Sequence, residues 1–351
     1  MSIIKRFFGK TKDNIDVYLL YFTNTNGMKI KIITYGATIV SIIVPNKKED
    51  FTDVVLGYDT IEAYENENCY LGALIGRFAN RIENGKFKIN NIEYSLVQNS
   101  GNNHIHGGIK GFDKIVWNIE TIDNRNNSLV LSYLSKDGEE SYPGNLNVTV
   151  TYTLTNKDEL IINYKAKSDK DTIVNLTNHS YFNLGGQTQE TALNQKLMLN
   201  SDEFTENNKY SIPTGNIISV EGTPMDFRNL KTIGEEINSD YYQIKLASGY
   251  DHNWILKSGG NINELAAKLV DESTGIIMDM YTTKPGVQFY SANFLSSDHA
   301  GKNGTLYEKR SALCLETQYF PNSINNKNFP SPLLKAEKEY NHTTIYKFSL
   351  K

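Results

Sequence analysis

The sequence predicts an all-β fold of antiparallel strands. Three observations carry that prediction. Apolar and polar residues alternate with a period of two through many short runs. Turn dipeptides separate those runs at short intervals. The composition favours strands, with 22 tyrosines and 15 phenylalanines against only 8 prolines in 351 residues.

The run 28–44 places Ile30, Ile32, Tyr35, Ile39, Ile42 and Val44 in a β-rich stretch interrupted by Gly36. Residues 81–97 set Phe87, Ile89, Ile92 and Tyr94 between the turn dipeptides Asn84-Gly85 and Asn90-Asn91. Strand runs follow at 115–122 and 128–134. Val148, Val150, Tyr152 and Leu154 then alternate with polar residues up to a turn at Asn156-Lys157-Asp158. Leu160, Ile162 and Tyr164 resume the alternation, which predicts a hairpin with one buried face. Further strand runs lie at 264–271, 275–282 and 287–292. Helical periodicity is weak, and short helices are expected only near 58–66 and 230–238. The Asn-rich stretches 123–127 and 322–328 read as surface loops. No repeat, low-complexity linker or charge block divides the chain. The pattern predicts a single domain over residues 1–351, built as two packed sheets.

Composition bounds the function classes. The chain is 39% hydrophobic and 22% charged, with a net charge of −4. A mildly acidic chain without a basic run is a poor match to nucleic acid. No apolar run approaches the length of a membrane span. The N-terminal residues lack the apolar core and cleavage site of a signal peptide. The two cysteines, Cys69 and Cys314, fit no metal or redox spacing, and so few suggest a reducing compartment. A cytoplasmic location is expected.

Several polar islands carry candidate chemistry. Asn175-Leu-Thr-Asn-His179-Ser180-Tyr181-Phe-Asn183 packs one histidine among amides, hydroxyls and aromatic rings. That mixture suits a polar pocket with a stacking wall, as a sugar requires, and a neutral histidine can give or take a proton near pH 7. Glu316 follows an apolar run in Leu315-Glu-Thr-Gln-Tyr319. Burial there would bring its pKa toward the range of a general base, and the bland alternative is an exposed strand-end glutamate.

His104 and His106 are two apart, and on a strand they would share a face. They could pair on a metal, but the following residues, Gly107 to Gly111, supply no carboxylate. A sugar-binding histidine or a role-free loop histidine are the other readings. Gly76-Arg77-Phe-Ala-Asn80-Arg81 offers two guanidinium forks that serve either a hydroxyl ligand or surface ion pairs. Asp251, in Gly249-Tyr-Asp-His-Asn-Trp254, suits a pair of sugar hydroxyls or an Asx turn. His252 beside it should face the opposite way. Gln288, in Lys284-Pro-Gly-Val-Gln-Phe-Tyr290, says little alone.

Taken in order, GRFANRI, HIHGG followed by GFDKIVW, NLTNHSYFNL, GYDHNW, TTKPGVQFY and CLETQYFPNS resemble the aldose 1-epimerase, or galactose mutarotase, family over roughly residues 15–350. Phe78 and Trp254 are minor departures. The resemblance implies an antiparallel β-supersandwich with few short helices, and catalysis without metal or cofactor. It implies His179 as general acid and Glu316 as general base. It implies that Asn80, Arg81, His106, Ser180, Tyr181, Asp251 and Gln288 hold the sugar. The expected activity interconverts the α and β anomers of free hexoses such as D-galactose and D-glucose. The expected partner is a monosaccharide, with no nucleic acid and no membrane, on a monomer or weak homodimer. Three rivals stay open: a hexose 6-phosphate epimerase with extra cations from Arg77 or Arg310, a glycosidase using Asp251 and Glu316, and a sugar-binding module. Cys314 reads as core packing.

Overall fold

The computed structural model describes residues 2–66, 69–296 and 299–351. The predicted antiparallel strands are there, but they form three large sheets where two were expected. The first is a five-stranded meander in chain order: Ser2–Lys10, Asp16–Thr23, Lys29–Ile33, Thr38–Pro45 and Phe51–Asp53. The second has nine strands. The predicted hairpin lies within it as Leu146–Leu154 and Glu159–Ser168, paired from Leu146↔Ser168 to Leu154↔Leu160. The first strand of this hairpin buries every second residue, as the alternation requires. The C-terminal strand Glu339–Leu350 slots between Glu159–Ser168 and Ile276–Thr282. No local pattern announces that pairing, because its partners lie far away in sequence.

The third sheet has six strands in the order Tyr181–Phe182, Leu313–Gln318, Gly286–Tyr290, Asp251–Ile255, Glu203–Asn207 and Pro213–Ser219. All three sheets feed one apolar core. Leu20, Ile32 and Ile42 come from the five-stranded sheet, Val150, Ile162 and Met280 from the nine-stranded one, and Phe204, Trp254, Phe289 and Leu315 from the six-stranded one.

Small elements complete the frame. Asn90 and Asn91 both adopt positive φ, 50° and 65°, and close the ribbon Lys86–Ile89 with Ile92–Ser95 as the Asn-Asn signal predicts. The first expected helix is Ile61–Asn66. The second is absent from 230–238. There, Lys231–Thr232 joins the nine-stranded sheet, and the Ile233 and Gly234 N–H groups donate to the Gln195 and Leu193 carbonyls. Ile233 and Ile237 are both buried in the core, so their spacing of four imitates a helical stripe. The helix instead spans Tyr242–Ala247. No helix among the described residues is long and apolar enough to cross a membrane.

The candidate active site

Strand register assembles one wall of the site. Residues paired directly across an antiparallel sheet point to the same face. Tyr181 pairs with Cys314, Cys314 with Tyr290, and Tyr290 with Asp251. One step along, Glu316 pairs with Gln288 and Gln288 with Asn253. These side chains therefore form two rows on the face away from the main core. Strand Leu313–Gln318 is buried on both faces, so its outward-facing Glu316 is held out of water. His252 points the other way, against Phe204 and Trp254.

Two loops build the opposite wall. Arg81 pairs with Ile105 in a short ribbon. The Asn322 N–H donates to the Arg81 carbonyl at 2.8 Å, and the Asn322 side-chain oxygen accepts the Glu83 N–H at 3.1 Å. The Asn-rich loop at 322 is thus a buried clamp behind Arg81 at its near end, contrary to the surface loop expected there. The ribbon ends at His106, whose φ of 51° turns the chain out of the strand. Gly107 follows because a Cβ there would lie 1.8 Å from the Gly76 carbonyl oxygen. The turn separates the two histidines. His104 lies behind the pocket, bonded to the Val97 carbonyl and the Tyr142 hydroxyl, while His106 enters it. They do not form the shared face conceived for a metal.

Together the walls enclose a pocket of about 200 Å³. Asn80, Arg81, His106, His179, Tyr181, Asp251 and Glu316 line it, as the sequence suggested. Cys69, Tyr70, Ile105, Tyr290, Phe294 and Leu295 line it too. Of these, only Tyr290 carried a sequence signal, since it shares the face of Gln288 by alternation. Ser180 is buried and does not line the pocket. Its hydroxyl has no partner among the described residues. Gln288 stands behind the lining and donates its amide to Asp251 Oδ1 at 2.7 Å. The remaining arginines are elsewhere. Arg77 is buried and spends its guanidinium on Ser135, Lys136 and Pro143. Arg310 bonds Asn238 and the Ser248 carbonyl.

At the floor, His179 Nε2 lies 3.7 Å from Glu316 Oε1, with both side chains buried. Tyr181 stacks on the imidazole at a centroid distance of 5.1 Å. Burial pushes His179 down to about 4, against a hydrogen bond to its own backbone. Burial, and then the Asp251 charge, push Glu316 well above the usual carboxylate range, and Arg81 opposes them. Both shifts favour the uncharged form of each group over an ion pair. Glu316 Oε2 has no hydrogen-bond partner among the described residues, nor has either polar atom of the Asn253 amide. For Glu316, which lines the pocket, an unpartnered buried oxygen beside a perturbed ionisable group points to a ligand or to chemistry.

His106, His179 and Glu316 also bring ligand-type atoms within 4.8 Å of one another. A metal site needs an imidazole lone pair facing the centre and the other ring N–H aimed at an acceptor. His106 has the reverse arrangement. The Asn80 N–H donates to its Nδ1 at 3.3 Å, so this hydrogen bond assigns the proton of the neutral ring to Nε2. Burial, with the positive influence of His179 and Arg81, keeps that ring neutral. The donor set suits hydroxyl groups better than a cation.

A family model described as aldose 1-epimerase matches residues 18–347. The chain is 40% identical over 350 residues to the galactose mutarotase of Bos taurus, covering 100% of this chain and 99% of that protein. It is 37% identical over 333 residues to the aldose 1-epimerase of Escherichia coli strain K12, covering 94% of each. It is also similar to the crystal structure of galactose 1-epimerase from Lactobacillus acidophilus NCFM, with a TM-score of 0.87, 31% identity and 99% of both chains covered.

Proposed function

The chain belongs to the aldose 1-epimerase family, and from that premise we propose that His179 and Glu316 are the acid and base of its reaction. The chain is an isomerase that interconverts the anomers of hexoses. One observation carries the residue assignment. A histidine and a glutamate meet at 3.7 Å on the pocket floor, both buried, with one carboxylate oxygen unpartnered among the described residues.

Changing an anomer requires the ring to open, C1 to turn, and the ring to close. Glu316 takes the proton of the C1 hydroxyl while His179 gives a proton to the ring oxygen. The bond between C1 and the ring oxygen breaks and the free aldehyde forms. Rotation about C1–C2 presents the other face of the carbonyl, and the two residues exchange roles to close the ring. The opposed pKa shifts suit this exchange. A histidine pushed down to about 4 and a carboxyl pushed up hold one proton between them over a wide pH range. Moving that proton across the contact converts one acid–base arrangement into the other, with no net exchange with solvent.

Asn80, Arg81, His106 and Asp251 hold the hydroxyls while C1 turns. Gln288 acts through Asp251, and Tyr181 keeps the His179 ring in plane. The substrates are free D-galactose and D-glucose. Arg81 is the one cationic side chain among the described lining residues, and Arg77 and Arg310 are engaged elsewhere. A pocket with a single guanidinium favours a neutral sugar over a phosphorylated one. We read residues 1–351 as one catalytic domain because the three sheets share a core. A chain with only two cysteines fits the cytoplasm, and we take it to act as a monomer or weak homodimer.

Polarimetry on freshly dissolved α-D-galactose tests the assignment. Acceleration by the native enzyme and not by Glu316→Gln is expected. Equal acceleration by both would remove Glu316 from the reaction.

A further inference from the structure

Cys314 lies two residues before Glu316 and points to the same side of the strand. Its Sγ is 3.6 Å from His179 Nδ1, on the opposite edge of the ring from the nitrogen facing Glu316. Among the described residues it is the side chain with hydrogen-bonding geometry to that nitrogen. Stacking on Tyr181 fixes the plane of the imidazole but not its edge. A ring flipped by half a revolution about its Cβ–Cγ bond keeps the same plane, stacks equally well and presents carbon where Nε2 now stands. A contact specific to one edge must make that choice.

We propose that Cys314 is a positioning residue that sets the edge and the tautomer of His179. The cysteine sulfur can accept from Nδ1–H, which leaves Nε2 of the neutral ring bare and facing Glu316. When Nε2 takes a proton and the ring becomes imidazolium, Nδ1 keeps its hydrogen and the contact to sulfur is unchanged. The contact therefore survives both halves of a cycle in which His179 gives a proton and takes one back at Nε2. A carboxylate in the same place would also accept Nδ1–H but would favour the charged ring. Burial pushes the thiol well above its usual range, so the group stays S–H and adds no charge. A weak, uncharged acceptor at Nδ1 leaves the proton on the other edge free to move. This inference replaces the core-packing role expected for Cys314, and it rests on His179 being the acid.

The test compares Cys314→Ala with Cys314→Ser. The hydroxyl oxygen of serine can also accept Nδ1–H. Alanine should lower kcat about three- to tenfold, the effect of one modest hydrogen bond felt in the transition state, with little change in KM. Serine should recover most of that loss. The ¹⁵N–¹H spectrum of the neutral His179 ring should show a proton on Nδ1 in the native enzyme and in Cys314→Ser, and a mixture of tautomers in Cys314→Ala. Unchanged kcat and an unchanged spectrum in Cys314→Ala would overturn the proposal. So would equal losses in both variants that track a lowered melting temperature, since that is the signature of packing alone. The tautomer spectrum does not depend on activity. A native-like response there, with full activity in His179→Asn, would sink the catalytic assignment and leave the positioning contact standing.

Discussion

Lys302 and Glu316 are both ionisable side chains withdrawn from water, and the fold treats them in opposite ways. The Lys302 ammonium donates to the Val40 and Val55 carbonyls at 2.8 Å each and to Asp53 at 2.7 Å, with Ser41 Oγ at 3.3 Å. Every bond it can make is made. Glu316 has a histidine at 3.7 Å, a carboxylate charge raising its pKa, and one oxygen with no partner among the described residues. The first arrangement ties the 302 loop to the five-stranded sheet. The second costs stability and, on the assignment proposed here, is where a proton is exchanged. A buried charge that is fully bonded marks a structural joint, and one left incomplete marks a working site.

The contrast can be broken from the Glu316 side first. Glu316→Gln and His179→Asn should each lower kcat by about 10²–10⁴-fold, the usual contribution of one proton-transfer partner. Neither should lower the melting temperature, and Glu316→Gln should leave it unchanged or raise it, because an awkward carboxyl is removed. Parallel polarimetry and thermal melts check both halves. A large loss of stability in Glu316→Gln would erase the distinction drawn above.

Lys302→Met tests the other side. It strands Asp53 and two buried carbonyls and should cost about 3–5 kcal/mol of stability, read by urea titration. Turnover per folded molecule should stay close to native. A variant of native stability would show that the joint is not one.

The smallest effect concerns pH. In the empty pocket, His179 gains a second proton for the pair as pH falls through about 4, and the base is lost. As pH rises through the elevated pKa of Glu316, the last proton leaves and the acid is lost. The kcat/KM profile should therefore have its acid limb near pH 4 and its alkaline limb set by Glu316, above the usual carboxylate range. An acid limb near 6.5 would mean that His179 titrates as if in water.

Much of this was legible in the sequence where structure is local. Val148 to Tyr164 alternate because each strand has one wet and one dry face, and a tight turn joins them. The polar islands at His179 and Glu316 stood out because their composition is wrong for a core. What was not legible depends on contacts between distant residues. Arg77 and Arg81 look alike four residues apart, yet one is consumed by Ser135 and its neighbours while the other lines the pocket. His104 and His106 diverge because of one positive φ. Asn322 looked like loop and is a clamp. Tyr70 enters the pocket from a stretch with no motif at all.

The buried histidines carry a consequence for the life of the whole molecule in acid. His104 and His179 are held down to about 4, His252 and His342 to about 3, and His106 well below 6.5, in each case chiefly by burial. A folded pKa below the unfolded value means that the unfolded chain binds protons first, so folding weakens as pH drops below 6.5. Glu316, and Asp113 at about 7, act with the opposite sign, since they keep protons in the folded state that the unfolded state releases above about pH 4–4.5. The histidines take up protons on unfolding and outnumber the two carboxyls that give theirs back, so the net uptake has the sign of the histidines. At about 1.4 kcal/mol per proton and pH unit, stability should fall as pH drops from 6 to 5. Mild acid thus works on this protein as a denaturant whose dose is counted in protons, and a potentiometric titration across the unfolding transition would count them.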